Sequence, residues 1–422
     1  MEEPVLSSVD VWVIVAAALV LLMTPGVAFL YGGMTRAKSA LNMIMMSIIS
    51  MGIVGVVWVL WGYSVSGASS IGGVFGNPFE YFALQPLVGT PDLISAGFGA
   101  TFAIITVALI SGSLADRARF SAWIVFVPIW VTLVYCPLAF MVWGDGGVFT
   151  DGGAISNLVG GAAIDYAGGT VVHINAGVAA LVLALIVGRR TGFRAEPLHR
   201  PHNVPLVVIG AALLWFGWFG FNAGAASDPA EAGLIWVNTL AAPAAAMLAW
   251  LVVEKIHAGK FTAVGGASGI VAGLVAITPS CANLDPWAAI LLGLVAGAAS
   301  SAAIGLKYKL GYDDSMDVVG VHLVAGLIGT IYLGFFAFDG VGLFYGGGAT
   351  QLLIQVVAAL VSVLFTAVMT CIIGFAIHKT IGFRVTAEEE DRGVDLSLHD
   401  ELAYEFIEER IDEKLAESSH KE

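Results

Sequence analysis

Charged residues are scarce in this sequence. Only 12% of its 422 residues are Asp, Glu, Lys or Arg, whereas 58% are hydrophobic. Soluble domains carry about 25% charged residues, so the composition excludes that class. Apolar runs of about 20 residues, the length needed to cross about 30 Å of hydrocarbon, recur along the chain. The sequence therefore predicts a multi-pass membrane protein.

Other absences narrow the function. The three cysteines, Cys136, Cys281 and Cys371, form no CxxC pair, so we interpret them as packing residues. No G-x-x-x-x-G-K-[ST] loop occurs, which argues against ATP-driven pumping, and nothing resembles a filter of backbone carbonyls. The acidic start MEEPVLSSVDVW lacks the positive region of a signal peptide, so we expect Met1 to belong to the mature chain.

The apolar windows predict an all-α membrane protein with eleven transmembrane helices. They fall near residues 11–31, 40–66, 93–114, 121–143, 166–187, 204–225, 234–255, 263–279, 286–306, 318–338 and 351–377. Lysine and arginine concentrate on the cytoplasmic side of membrane proteins. All 18 basic residues follow odd-numbered spans. This pattern predicts an N-terminus outside and a C-terminus inside.

The span count also predicts an internal repeat. Because five is odd, a repeat of five spans is inserted in the opposite orientation the second time, which is the plan of many transporters. We expect a transmembrane domain at residues 1–384, with inverted repeats at about 11–187 and 204–338 and a last helix at 351–377. Residues 385–422 form an acidic cytoplasmic tail with 14 acidic and 4 basic residues.

Two histidines lie inside the predicted spans. His173 belongs to DYAGGTVVHINAGVAA at residues 165–180, and His322 belongs to DVVGVHLVAGLIG at residues 317–329. A titratable ring within a span is costly, which indicates a functional site. We expect Asp165 to enter the first of these spans and Asp317 the second. A metal centre is a poor interpretation, since two imidazoles with no nearby carboxylate or thiolate make a weak ligand set.

Aromatic residues cluster near the predicted outer ends of the spans. Phe98 and Phe102 share one face of span 3. In span 6, Trp215, Trp218, Phe221 and Ala225 lie within reach of one face. These side chains fit either core packing or the wall of a path. Trp143 ends span 4, where it fits either an interfacial anchor or a cation-π site.

A path lined this way favours a substrate that sheds its charge. A bare cation would cost several kcal/mol in the interior, given about 2.5–3.5 kcal/mol for a central charge even on the insertion scale. Ammonium can leave its proton at the entrance, whereas potassium has no proton to give up. Neutral imidazoles, each with one donor and one acceptor, suit ammonia.

The motifs resemble those of the ammonium transporter family, the Amt/Mep/Rh superfamily, in its bacterial or archaeal Amt branch. The matching stretches are DYAGGTVVHINAG, TPGVAFLYGGMTRAKSALNM, FSAW, MVWG, WFGFNAG, ITPSC and DVVGVH. This resemblance implies a homotrimer with one pore per subunit in the lipid bilayer of the plasma or inner membrane. It implies a transporter of ammonium, with methylammonium as an analogue, and no enzyme, cofactor, metal or nucleic-acid partner.

The resemblance also implies roles for single residues. Trp143 and Phe102 correspond to the outer recruitment site, Phe102 and Phe221 to a phenyl gate, and His173 and His322 to the twin-histidine pair. Trp218 and Tyr31 would line the pore, and Asp165 would be the supporting buried acid. Many members have a serine after FNAG where this chain has Ala225, which predicts weaker or differently shaped recruitment of ammonium.

The tail and two rival functions stay open at this point. GFRVTAEEEDRGVDLSLHDE resembles the regulatory segment of the family, near which PII signalling proteins dock. Ser397 and Asp400 are placed like the capping box of a further amphipathic helix reaching Leu415. The rivals are a passive gas channel for ammonia or carbon dioxide, as in the Rh branch, and an ammonium sensor that signals through its tail.

Overall fold

The computed structural model describes residues 6–193 and 200–404. Within them, eleven helices are long and apolar enough to cross a membrane. In chain order, spans 1 to 11 are Ser8–Met34, Ala37–Gly67, Asp92–Leu114, Phe120–Trp143, Gly169–Val187, Val204–Ala223, Pro229–Ala258, Ala263–Ser280, Pro286–Leu310, Val319–Phe336 and Thr350–Thr380. Each overlaps one predicted window, so the predicted all-helical, multi-pass fold is confirmed. The orientation of the termini and the inverted repeat stay predictions.

Short elements connect the spans. They are an antiparallel pair of strands, Ser70–Ile71 with Phe75–Gly76, two 3-10 turns at Phe82–Leu87 and Leu343–Tyr345, and the helices Ala154–Val159, Ala387–Arg392 and Val394–His399. Span 7 begins five residues before its apolar window because the Asp228 side chain accepts hydrogen bonds from the N–H groups of Ala230 and Glu231.

Four spans contain a wide, π-helical segment within the described residues. These segments are Trp58–Gly62, Val131–Tyr135, Gly169–Ile174 and Val319–Val324. Such segments are rare in helices and often occur at functional sites. Two of them carry His173 and His322, and the other two begin at Trp58 and end at Tyr135. They therefore indicate two places in the bundle as candidate functional sites.

The tail packs against loops at the end of the bundle that carries the basic residues, here called the basic end. The Asp395 carboxylate accepts hydrogen bonds from the N–H groups of Leu41 and Asn42, at 2.9 and 2.7 Å. The buried Glu390 accepts one from the N–H of Thr191 and pairs with Arg384. These contacts fasten the tail to the start of span 2 and to the loop after span 5.

The predicted capping box in the tail is wrong. Ser397 lies inside the helix Val394–His399, and Asp400 follows that helix with a left-handed φ of 55°. The capping box instead joins Thr386 and Glu389, at the start of Ala387–Arg392. The predicted helix reaching Leu415 lies almost wholly outside the described residues.

Close packing at one glycine brings the two histidine spans together. A Cβ atom added to Gly177 in span 5 would lie 2.6 Å from both the backbone N and the Cβ of Leu323 in span 10. Small residues permit such close approach between membrane helices. Gly177 therefore sets how near span 5 comes to the residue that follows His322.

We expect Gly177→Ala to lower the melting temperature of the detergent-solubilised protein. The added methyl group meets backbone and cannot be accommodated without moving a helix, which typically costs about 1–3 kcal/mol. The matched control is Gly97→Ala, because a Cβ atom there meets nothing within 4 Å. Equal melting temperatures for the two variants would contradict the close-packing argument.

Candidate functional site

The two histidines meet in the interior. Their Nδ1 atoms lie 3.2 Å apart, their ring centroids lie 5.4 Å apart, and the two residues are 1% and 2% exposed. In this contact one Nδ1 must donate and the other must accept. If both rings are neutral, the donating ring has a bare Nε2 and the accepting ring carries its proton on Nε2. The pair then presents one acceptor and one donor.

Asp165 organises the start of the first histidine span. Its carboxylate accepts hydrogen bonds from four successive backbone N–H groups, those of residues 168 to 171, and from the Thr170 hydroxyl. The chain turns at Gly168, whose φ of 112° favours glycine. Burial raises the pKa of Asp165, and these hydrogen bonds oppose the rise. Every donor lies at the helix start, which fits a capping role.

Aromatic rings continue from the histidines toward the end of the bundle opposite the basic end. Trp218 stacks on His173 with 5.3 Å between centroids, and its Nε1 donates to the Thr278 hydroxyl at 2.8 Å. Phe221 stacks on Phe102 with centroids 4.3 Å apart and planes inclined by 22°. Trp143 stands perpendicular to Phe102 at 6.2 Å. The structure thus joins the predicted recruitment, gate and pore residues in one row.

A cavity of about 260 Å³ lies above this row and is here called the aromatic cavity. Its lining includes Trp143, Phe98, Phe102, Phe221 and Ala225. The indole Nε1 of Trp143 donates to the backbone oxygen of Asp165 at 2.7 Å, which fixes the ring against span 5. The Phe102 and Phe221 rings are 5% and 1% exposed, so the stacked pair closes the cavity toward the histidines.

Tyr31 lies on the other side of the histidine pair. Its hydroxyl donates to the backbone oxygen of Leu109 at 3.2 Å, and the side chain is buried. A Cβ atom added to Gly112 would lie 2.6 Å from the Tyr31 ring and 3.0 Å from a methyl group of Val318. These three residues form a tight constriction toward the basic end.

The predicted counterpart of Asp165 was Asp317, and the structure assigns that place to Asp314. Asp314 precedes His322 by eight residues, as Asp165 precedes His173. Its Oδ2 accepts a hydrogen bond from the N–H of Val319 at 2.7 Å, at the start of span 10. Asp317 instead pairs with Lys307, 2.6 Å from its Nζ. The offset of 149 residues between the histidines maps position 165 onto 314, so the signal was present in the sequence.

Asp314 sits in a poorly compensated environment. It is 1% exposed, and among the described residues its Oδ1 has no hydrogen-bond partner. Burial, and then the negative charge of Asp317, raise the pKa of Asp314 to about 6, while the Lys307 ammonium opposes the rise. Lys307 donates to the backbone oxygen of Asp314 and not to its carboxylate.

The structure also brings in residues that the sequence reasoning missed. Trp58 and Tyr135 line the aromatic cavity, and Thr278 holds the Trp218 ring. Thr278 belongs to the ITPSC stretch, so that motif could have indicated it. Nothing in the local sequence around Trp58 or Tyr135 marks either as part of a site. In the described part of the chain, no group of three or more His, Cys, Asp or Glu residues could hold a metal ion.

Comparisons with known proteins agree on one family. The family model described as Ammonium Transporter Family matches residues 11–404. The ammonium transporter of Mycobacterium tuberculosis strain H37Rv is 50% identical, over 94% of this chain and 90% of its own length. The ammonium transporter of Aquifex aeolicus is 45% identical, over 93% and 92%.

Solved structures show the same relationship. The Mep2 protein of Saccharomyces cerevisiae superposes with a TM-score of 0.81 at 33% identity, covering 90% of this chain and 88% of that one. A protein described as Sensor Amt Protein superposes with a TM-score of 0.85 at 29% identity, covering 93% and 98%.

We expect Asp314→Asn to flatten the dependence of stability on pH. The folded pKa of about 6 exceeds the ordinary value of 3.8, so the folded protein binds this proton more tightly. The resulting stabilisation is present below about pH 4 and is lost as pH rises through about 6. One pKa unit corresponds to about 1.4 kcal/mol, so the change is on the order of 2–3 kcal/mol.

Melting temperatures between pH 4 and pH 8 in detergent measure this effect. Asparagine keeps an acceptor for the Val319 N–H and cannot titrate, so the variant is also expected to be more stable than the parent at pH 7. Asp151→Asn, at an exposed loop position, controls for the change in net charge. A parent-like slope in Asp314→Asn would assign the pH dependence to other groups.

Proposed function

Since this chain belongs to the ammonium transporter family, we propose that it captures ammonium in the aromatic cavity, where the cation gives one proton to water, and passes ammonia along the histidine pair, while the proton crosses by a separate route. Under the predicted topology the cavity faces outward and the basic end faces the cytoplasm. Transport then runs from Trp143, between Phe102 and Phe221, to His173 and His322. No chemical conversion of the substrate is proposed, so the chain is a transporter and not an enzyme.

The observation that carries this proposal is the phenyl stack above a buried pair of imidazoles. Phe102 and Phe221 are stacked and buried between the cavity and His173. A cation would have to give up its water there with no carboxylate on the pore side to replace it. Ammonia has no charge to desolvate. Selection against potassium follows, because potassium cannot become neutral.

The histidine contact provides two hydrogen-bonding stations for ammonia. Because one Nδ1 donates to the other, a neutral pair has one protonated Nε2 and one bare Nε2. Ammonia can accept from the first and donate to the second. Among the described residues, His173 Nε2 has no protein partner, so it is free to serve a passing molecule.

Recruitment at the cavity rests on aromatic faces and on a buried acid. The rings of Trp143 and Phe102 attract a cation through their π faces, at about 0.5–2 kcal/mol each. Among the described residues, the donors to the Asp165 carboxylate belong to residues 168 to 171, so this acid supports the site electrostatically and through the Trp143 hydrogen bond to its backbone oxygen rather than as a direct ligand. Ala225 lines the cavity and offers no side-chain oxygen.

We also propose an assembly, a location and a partner for the chain. The chain is proposed to form a homotrimer in the lipid bilayer of the plasma or inner membrane, with residues 1–384 as the transport domain and residues 385–422 as a regulatory tail. A PII protein is the proposed partner of that tail. The contacts of Glu390 with the loop after span 5 and of Asp395 with the start of span 2 support a coupling of the tail to the transport domain.

Charge movement tests the proposal against the passive gas channel and the sensor. A pulse of ammonium onto proteoliposomes on a supported membrane is expected to evoke a current, since ammonia and its proton cross by separate routes and together move one positive charge. His173→Ala removes one of the two stations and is expected to reduce this current at least tenfold. The control is His257→Ala, at an exposed ring at the end of span 7.

The rivals give different outcomes in the same assay. Ammonia flux without any ammonium-evoked current would favour a gas channel. A sensor would show neither flux nor current, while its tail would still signal. Loss of the current in His257→Ala to the same extent as in His173→Ala would remove the assigned role of the pair.

We expect Ala225→Ser to tighten the apparent affinity for ammonium by about twofold to tenfold. The new hydroxyl adds one acceptor within the cavity, and one hydrogen bond contributes about 0.5–1.5 kcal/mol. The concentration giving half-maximal current measures the effect. Ala230→Ser, an exposed position outside the cavity lining, is the control. An unchanged affinity would show that the missing serine has no bearing on recruitment.

A further inference from the structure

The aromatic cavity is larger than ammonium requires. Its volume is about 260 Å³, whereas one water molecule, which is close to ammonium in size, occupies about 30 Å³ of liquid. The lining comes from spans 2, 3, 4 and 6 and from their neighbouring loops, and we call the part formed by span 2 and by span 4 before Trp143 the side lobe. The side lobe is lined by Trp58, Tyr63, Ser66, Gly67, Tyr135 and Ala139.

The floor of the side lobe is a fixed apolar wall. Trp58 and Tyr135 are 4% and 1% exposed, with ring centroids 6.3 Å apart. The Trp58 Nε1 donates to the backbone oxygen of Ala96 at 2.8 Å, which holds the indole in place. Both residues come from π-helical segments, like the two histidines. Segments of this kind often occur at functional sites, which gives the side lobe a weight that packing alone would not.

The lining defines the chemistry of a ligand. Of the described residues that line the cavity, none is Asp, Glu, Lys or Arg, so neither a carboxylate nor a second ammonium group would find a charged partner there. An amino acid or a diamine would bury an uncompensated charge, which is costly. A ligand that matches this lining has a single ammonium head against Trp143 and a hydrocarbon chain against Trp58 and Ala139.

A molecule that passes beyond the cavity must be narrower than one that only binds inside it. The Phe102 and Phe221 centroids are 4.3 Å apart, and Trp218 packs beneath them against His173. Loss of a proton converts ammonium into neutral ammonia, but it does not make the hydrocarbon chain of a longer amine narrower. A longer amine would therefore be held above the stack even when deprotonated.

We propose that the side lobe makes the aromatic cavity a binding site for primary alkylammonium cations longer than methylammonium, which occupy the place of ammonium and are not transported. The inference rests on the proposed role of this cavity in ammonium recruitment. Each methylene buried in the side lobe tightens binding about threefold to fourfold. Inhibition therefore strengthens from methylammonium to butylammonium until the side lobe is filled.

The test measures inhibition of the ammonium-evoked current by methyl-, ethyl-, propyl- and butylammonium chloride at constant pH and ionic strength. Protein-free liposomes correct for amines that cross the lipid. The expected result is an inhibition constant that falls about threefold to fourfold per methylene, with no current evoked by butylammonium itself. Inhibition constants that do not change along the series, or a current carried by butylammonium, would overturn the proposal.

A pair of variants locates the chain of the ligand. Gly67→Leu places an isobutyl group at the rim of the side lobe, whereas Gly97→Leu makes the same change at an exposed position outside the lining. An added Cβ atom meets nothing within 4 Å at either site. The ratio of the methylammonium to the butylammonium constant is expected to fall at least fivefold in Gly67→Leu and to stay at the parent value in Gly97→Leu. Equal ratios would overturn the placement.

Direct binding separates this inference from the transport proposal. Isothermal titration calorimetry of butylammonium into the detergent-solubilised full chain reports on the side lobe whether or not ammonium evokes a current. A protein that conducts ammonium and shows no affinity for butylammonium disproves the side-lobe site alone. A protein that binds butylammonium and shows no ammonium-evoked current retains the site and loses the proposed transport function.

Discussion

The contact between His173 and His322 constrains most of the surrounding structure. The two Nδ1 atoms, 3.2 Å apart, can share a hydrogen bond only if spans 5 and 10 approach closely. Gly177 permits that approach. The same contact has to exclude water, because a hydrated channel would satisfy both imidazoles separately. Burial of both rings and the stacked Trp218 supply that exclusion. The close packing at Gly177, the burial of both rings and the stacked Trp218 are therefore all needed for this one hydrogen bond.

The exclusion of water also bears on which cation the row of aromatic rings can select. In water, ammonium and potassium are similar cations, and an aromatic cavity attracts both. In the proposed mechanism the difference appears only where the ion must leave water, at the Phe102 and Phe221 stack, because only ammonium can become neutral there. The proposal therefore separates selectivity from binding along the path. A cavity that does not need to discriminate between cations tolerates a side chain such as Ala225 and an additional lobe beside Trp58.

Much of the fold could be predicted because long apolar runs and basic loops are strong, local signals. The histidine pair was accessible for a similar reason, since VHINAG and VHLVAG repeat at a fixed offset. The counterpart of Asp165 was missed because nearness to His322 was weighed above that offset, and Asp317 turned out to pair with Lys307. The side lobe could not be predicted, since Trp58 and Tyr135 meet only through the packing of separate spans. Ser397 imitated a cap because short polar spacings occur equally within helices.

The two acids that start the histidine spans are equivalent in position and unequal in surroundings. Asp165 has both carboxylate oxygens engaged by donors at the start of span 5, and these hydrogen bonds oppose the rise in its pKa that burial causes. Asp314 accepts from Val319 with one oxygen, leaves the other without a partner among the described residues and faces the charge of Asp317. A shared architecture thus gives an acid with a full set of hydrogen-bond donors at the start of span 5 and a poorly hydrogen-bonded one at the start of span 10. Repetition of the backbone does not make the two ends of the path chemically alike.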